Sequence, residues 1–74
     1  MSQRYYEFRV TGRLSDRARH AVDEFCEVSV EPAPPETIIS GTMVDDSHLH
    51  GMLALFQNLG IEVVSMRRGP DLEG

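Results

Sequence analysis

The sequence holds no lysine, no tryptophan, a single cysteine and only five aromatic residues. Each shortage excludes something. Cys26 alone cannot close an intramolecular disulfide, so no covalent staple supports the fold. No apolar run approaches the ~20 residues that span a bilayer. Met1-Ser2-Gln3-Arg4 leads straight into an amphipathic stretch, without the apolar segment of a secretory signal. Positive charge is scarce as well: seven arginines face twelve acidic residues, for a formal net charge of -5. That balance disfavours long-range attraction to nucleic acid or to an anionic membrane. The expectation is a cytoplasmic protein, since a lone thiol suits a reducing compartment, with no nucleic acid and no membrane among its partners.

What the chain does contain is an ordered series of hydrophobic periods. Tyr6, Phe8 and Val10 alternate with Tyr5, Glu7, Arg9 and Thr11, which predicts a strand over Arg4–Thr11. Ser15 is a good N-cap, with Asp16 in the first turn where the helix dipole favours negative charge. Leu14, Ala18, Ala21, Val22 and Phe25 form the stripe of a short helix, and Asp23-Glu24 reads as the connection out of it. Cys26, Val28 and Val30 share one face of a second strand, which Pro32-Ala33-Pro34-Pro35 should end because proline has no ladder N–H.

A third strand is expected from Glu36 to Val44. Its Ile39, Gly41 and Met43 face the helices, with Gly41 admitting a helix close to the sheet, and its other face carries Ile38, Ser40 and Thr42. Asp45 or Asp46 caps a second helix running to Leu59, with Leu49, Met52, Leu53, Phe56 and Leu59 at helical spacing and Gly60 placed to end it. Ile61–Met66 reads as a last strand, closing on Arg67-Arg68.

The βαββαβ order predicts an α+β, ferredoxin-like sandwich: a four-stranded antiparallel sheet with two helices on one face. Residues 4–68 are expected to form the single domain, with residues 1–3 as an N-terminal tail and 69–74 as a disordered C-terminal tail. A core this small rarely supplies more than ~3–5 kcal/mol without a staple. With a disulfide excluded, self-association is favoured over a metal.

Candidate sites are few. Asp45, Asp46 and His48 are the residue types that hold a divalent metal, but His48 and His50 would point about 160° apart on a helix and cannot share one ion. Helix capping is the plainer role for the aspartates. Gly12, Arg13, Ser15 and Arg17 place free N–H groups and two guanidiniums at a helix start, which suits a carboxylate or phosphate, although Asp16 lies among them. Cys26, flanked by Glu24 and Glu27, reads as an inward structural thiol rather than a nucleophile. His50, beside Gly51, reads as a buried neutral imidazole or an interface residue whose protonation would weaken association as pH falls.

RNA readout on this topology needs stacking aromatics on strands one and three, and only Tyr5 is offered. No catalytic residues are assigned and no cofactor is expected. Tyr5, Ile38, Val64 and Met66 would leave an apolar set on the helix-free face of the sheet, the surplus expected of a surface covered by a second subunit.

The segments Val10-Thr11-Gly12-Arg13-Leu14, Gly41 with Asp45, Leu49-His50-Gly51-Met52-Leu53, and Leu59 through Arg67 resemble a group of small actinobacterial βαββαβ proteins. The resemblance covers most of residues 5–68 and implies the fold, without implying an activity. The element order, with Gly12 and Leu14 after the first strand, is also similar to ACT-type regulatory domains, a likeness that implies metabolite binding at subunit interfaces. The first functional expectation is therefore a non-catalytic interaction or regulatory module, a homodimer or the partner of another protein, joined through its sheet face or an edge strand. A domain binding a small anionic metabolite near Gly12–Arg17 is the second, and a divalent-metal-binding protein using Asp45, Asp46 and His48 the third.

Overall fold

Alternation of apolar and polar side chains makes Arg4–Thr11 the first strand, β1, and this strand organises the molecule. A computed structural model describes residues 4–69. After β1 follow α1 (Asp16–Phe25), β2 (Val28–Ala33), β3 (Glu36–Met43), α2 (Asp46–Asn58) and β4 (Val63–Arg68). The strands form one antiparallel sheet in the order β2-β3-β1-β4, so the two connections through helices each cross a neighbouring strand. This is the α+β sandwich expected. Of the tails expected at residues 1–3 and 69–74, only Gly69 lies among the described residues, and its N–H donates to Tyr5 O at 2.6 Å.

The core sits between one sheet face and the two helices. Phe8, Val10, Val22, Ile39, Met52 and Phe56 are fully buried, with Tyr6, Met43 and Leu49 beside them. Burying side chains of this size contributes roughly 1.5–3 kcal/mol each before chain entropy is set against it. Phe8 meets Phe56 edge-on with ring centroids 5.2 Å apart, so a strand residue and a helix residue lock the two layers together.

Caps and turns follow local chemistry. Ser15 Oγ accepts the Ala18 N–H at 3.1 Å and starts α1. Helix α2 ends in a paired-carbonyl cap. Gly60 takes φ +74°, its N–H donates to Gln57 O at 3.1 Å, and the Ile61 N–H donates to Phe56 O at 2.8 Å.

Several boundaries differ from the expectations, each for a physical reason. Asp23 and Glu24 are helical, and Cys26 is the C-cap residue of α1, so β2 begins at Val28. Pro32 does not end β2: it pairs with Thr37, and Ala33 with Glu36, leaving Pro34-Pro35 as a two-residue turn with a cis bond. β2 is an edge strand, where a residue without an N–H is tolerated. The last strand starts at Val63 rather than Ile61, because the cap that closes α2 uses the Ile61 N–H.

A bulge shifts the register of β4. Val63 pairs with Val10 and Ser65 with Arg9, so Val64 is the extra residue. Beyond the bulge Met66 pairs with Phe8, whose side chain faces the helices. Met66 therefore lies on the helix-bearing side and not on the helix-free face.

Gly41 admits a different element from the one expected, and Gly51 is the glycine at the contact between the helices. A Cβ at Gly41 would lie 3.0 Å from Glu27 O and 3.0 Å from Val28 Cγ1, so this glycine admits the start of β2 rather than a helix. A Cβ at Gly51 would lie 2.8 Å from Phe25 Cζ, so this second glycine brings α1 and α2 together.

Candidate functional site

The start of α2 gathers the aspartates and His48. The Asp45 carboxylate accepts the His48 N–H at 2.8 Å, and His48 Nδ1 accepts the Val44 N–H at 3.1 Å. The two side chains thus satisfy backbone donors reciprocally across the helix start, as a capping box does. Acceptance at Nδ1 places the ring proton of a neutral His48 on Nε2. Phe25 lies against the imidazole, ring centroids 5.2 Å apart. Asp46 instead faces Arg4 at 3.8 Å, beside a depression of about 220 Å3 lined by Arg4, Tyr6, Met43 and Val44. Among the described residues no three His, Cys, Asp or Glu side chains converge in a metal-binding arrangement. His50 is exposed, which departs from the buried imidazole that was one of its two expected roles, because it sits about 200° around α2 from the buried Met52.

The four residues expected to hold an anion are separated. Ser15 and Arg17 line one depression with Ala18, Asn58 and Leu59. Arg13 lines another with Leu14, Arg19, Val30, Pro32 and Thr37. Gly12, at φ +73°, is the hinge between β1 and this loop: its N–H donates to Pro35 O at 2.9 Å and its carbonyl accepts from Thr37 Oγ1 at 2.6 Å. Arg19, one helical turn into α1, was not singled out from sequence. The signal was its spacing six residues after Arg13, unreadable until the proline hairpin is seen to close the groove.

The helix-free face is mostly polar. Register rows carry Ser29, Ser40, Glu7 and Arg67, then Glu31, Ile38, Arg9 and Ser65. Arg9 pairs with Glu36 at 3.2 Å and Arg67 with Glu7 at 4.0 Å. Of the expected apolar set Tyr5 and Ile38 lie on this face, both half-buried, and a Cβ at Gly69 would fall 2.6 Å from the Tyr5 ring. Met66, 44% exposed, lies on the helix-bearing side, and Val64, 50% exposed, is the bulge residue of the edge strand β4.

Cys26 Sγ–H points to Thr42 O at 3.5 Å. Burial, and then the Glu27 carboxylate, push its thiol pKa up. The folded state therefore holds this proton more tightly than the unfolded chain. The stability it contributes is present below the ordinary thiol pKa and is lost as pH rises toward the raised value. At pH 8, Cys26 is expected to react with iodoacetamide several-fold more slowly than glutathione does, with urea removing the difference. A folded-state rate equal to that of glutathione would contradict the raised pKa.

Fold and surfaces together define a small βαββαβ α+β sandwich whose ionisable residues serve mainly as caps and surface ion pairs. The chain belongs to the family described as "Domain of unknown function (DUF8691)", whose model matches residues 5–67. No curated protein and no solved structure matches it.

Proposed function

We propose that the chain is a non-catalytic interaction module that pairs with a second copy of itself through the edge strand β4. The observation that carries this reading is the half-exposure of Val64 and Met66 on a strand bonded to the sheet along one side only. The Gly69 N–H donates to Tyr5 O, and β4 pairs residue by residue from Arg68 back to Ser65, before the bulge, so alternation turns the backbone groups of Met66 and Arg68 away from β1.

An antiparallel pairing with a two-fold axis at Ser65 sets Val64 opposite Met66 of the second copy. Both exposed apolar side chains are then covered, and each β4 arginine avoids its counterpart, since Arg67 falls opposite Val63. Pro32 on β2 weakens the other edge as a template, so the sheet extends once and closes as a symmetric dimer. The polar, ion-paired helix-free face favours the edge over the sheet face. A domain this small also gains the staple that its core lacks.

Sedimentation equilibrium over a concentration series tests the proposal, with Val64→Lys as the variant because a lysine on an edge strand opposes pairing. The expected result is a dimer whose dissociation constant rises at least tenfold in the variant, with an unchanged far-ultraviolet circular dichroism spectrum. A native monomer at high micromolar concentration, or a Val64→Lys dimer of undiminished affinity, overturns it.

A further inference from the structure

Among the described residues the guanidinium groups of Arg13, Arg17 and Arg19 make no hydrogen bond and no ion pair, whereas those of Arg4, Arg9 and Arg67 each meet a carboxylate. Two of the three converge. Arg13 and Arg19 line the same depression, about 110 Å3, over Leu14, Val30 and Pro32. Arg13 and Pro32 also border an adjoining hollow of about 350 Å3, completed by Pro34, Pro35 and Glu36. We infer that this groove, between the start of α1 and the β2–β3 hairpin, binds a carboxylate carried on a small apolar body: an aryl or short-chain carboxylic acid.

The groove is held in shape before any ligand arrives. Thr37, 4% exposed, donates its hydroxyl proton to Gly12 O, and the Gly12 N–H donates to Pro35 O, so the loop that carries Arg13 is tied to the hairpin from both sides. Proline rings add a wall with no rotamer freedom to lose, which favours binding by preorganisation. Glu36 does not compete for Arg13, because its carboxylate meets Arg9 at 3.2 Å.

The chemistry selects the ligand. Two guanidiniums supply the planar, forked donors that match a carboxylate. The walls beside them are aliphatic and use the rest of an amphipathic acid, as small-molecule sites generally do. Inorganic phosphate would gain nothing from those walls. It would also find no helix-start donor at Ala18, whose N–H is taken by Ser15 Oγ.

An amide-resolved NMR titration of the full chain tests the inference, using phenylacetate, its uncharged analogue phenylacetamide, and inorganic phosphate. Phenylacetate is expected to give saturable shifts at the Gly12 and Thr37 amides, at least tenfold tighter than either comparison probe. The double variant Arg13→Gln/Arg19→Gln should lose at least tenfold in phenylacetate affinity while melting at the native temperature, because neither guanidinium holds the fold together. Equal binding of phenylacetamide would remove the role of charge, and equal binding of phosphate that of the apolar wall. Either result, undiminished binding by the double variant, or the absence of saturable shifts overturns the site. The groove lies on the β2 side of the sheet and the proposed dimer contact on the β4 side, so one can fail without the other.

Discussion

Phe8→Ala is expected to abolish the cooperative unfolding transition at 25 °C. Phe8 is fully buried on the central strand β1, edge-on to Phe56 at 5.2 Å and 6.3 Å from the Tyr6 ring centroid. Its cross-strand partner is Ile39, so the one side chain touches every layer of the core. Replacing a buried phenylalanine by alanine costs about 3–5 kcal/mol through lost transfer energy and the cavity left behind. A single core of this size supplies about that much in total. Phe8→Leu, which keeps most of the volume, should cost nearer ~1.5 kcal/mol and retain a cooperative urea transition at a lower midpoint. Urea unfolding followed by circular dichroism distinguishes the two. A cooperative Phe8→Ala transition weakened by less than about 2 kcal/mol would show that the core does not depend on this contact.

The elements legible in the sequence were those specified by local chemistry. The alternation in β1, the Ser15 hydroxyl before α1, Asp45 before α2 and Gly60 after it each act within four residues of where they stand. Some misreadings are local, as at Asp23-Glu24, Ile61 and His50, but others involve a partner distant in sequence. Alternation carried Met66 to the wrong side, because a bulge at Val64 resets the period and its cause lies in pairing with Arg9 and Val10. Pro32 looked like a strand end until the sheet order made β2 an edge. Gly41 read as a close-approach glycine, but which element approaches it is a property of the assembled layers.

The candidate sites divide in the same way. Asp45 and His48 were seen as a cluster, and their reciprocal bonds to backbone N–H groups explain that cluster as a helix start. Arg13 was seen, but Arg19 was not, since only the hairpin closing over both makes them neighbours. The edge strand carried a readable signal in its apolar residues on both parities. Alternation put Met66 on the helix-free face, whereas the bulge turns it to the helix-bearing side.

Gly41→Val should destabilise the fold by about 1–3 kcal/mol, the usual cost of forcing extra methyl groups into a packed site. Gly41 is buried on β3, between Tyr6 of β1 and Val28 of β2 in the register. A Cβ there would already lie 3.0 Å from the Glu27 carbonyl, a backbone atom that cannot swing aside as a side-chain tip does. Alanine asks β2 to move by a few tenths of an ångström, and its cost is offset by the lower chain entropy of a non-glycine strand residue. Valine adds two methyl groups and pushes β2 off the sheet. β2 is the edge strand, so the loss should be local before it is global. Hydrogen exchange at Val28 and Val30 should then accelerate more than at Phe8 and Val10. Equal acceleration on both strands would mean that β2 and β1 open as one unit, and native exchange rates in the valine variant would mean that β2 does not need Gly41 to reach the sheet.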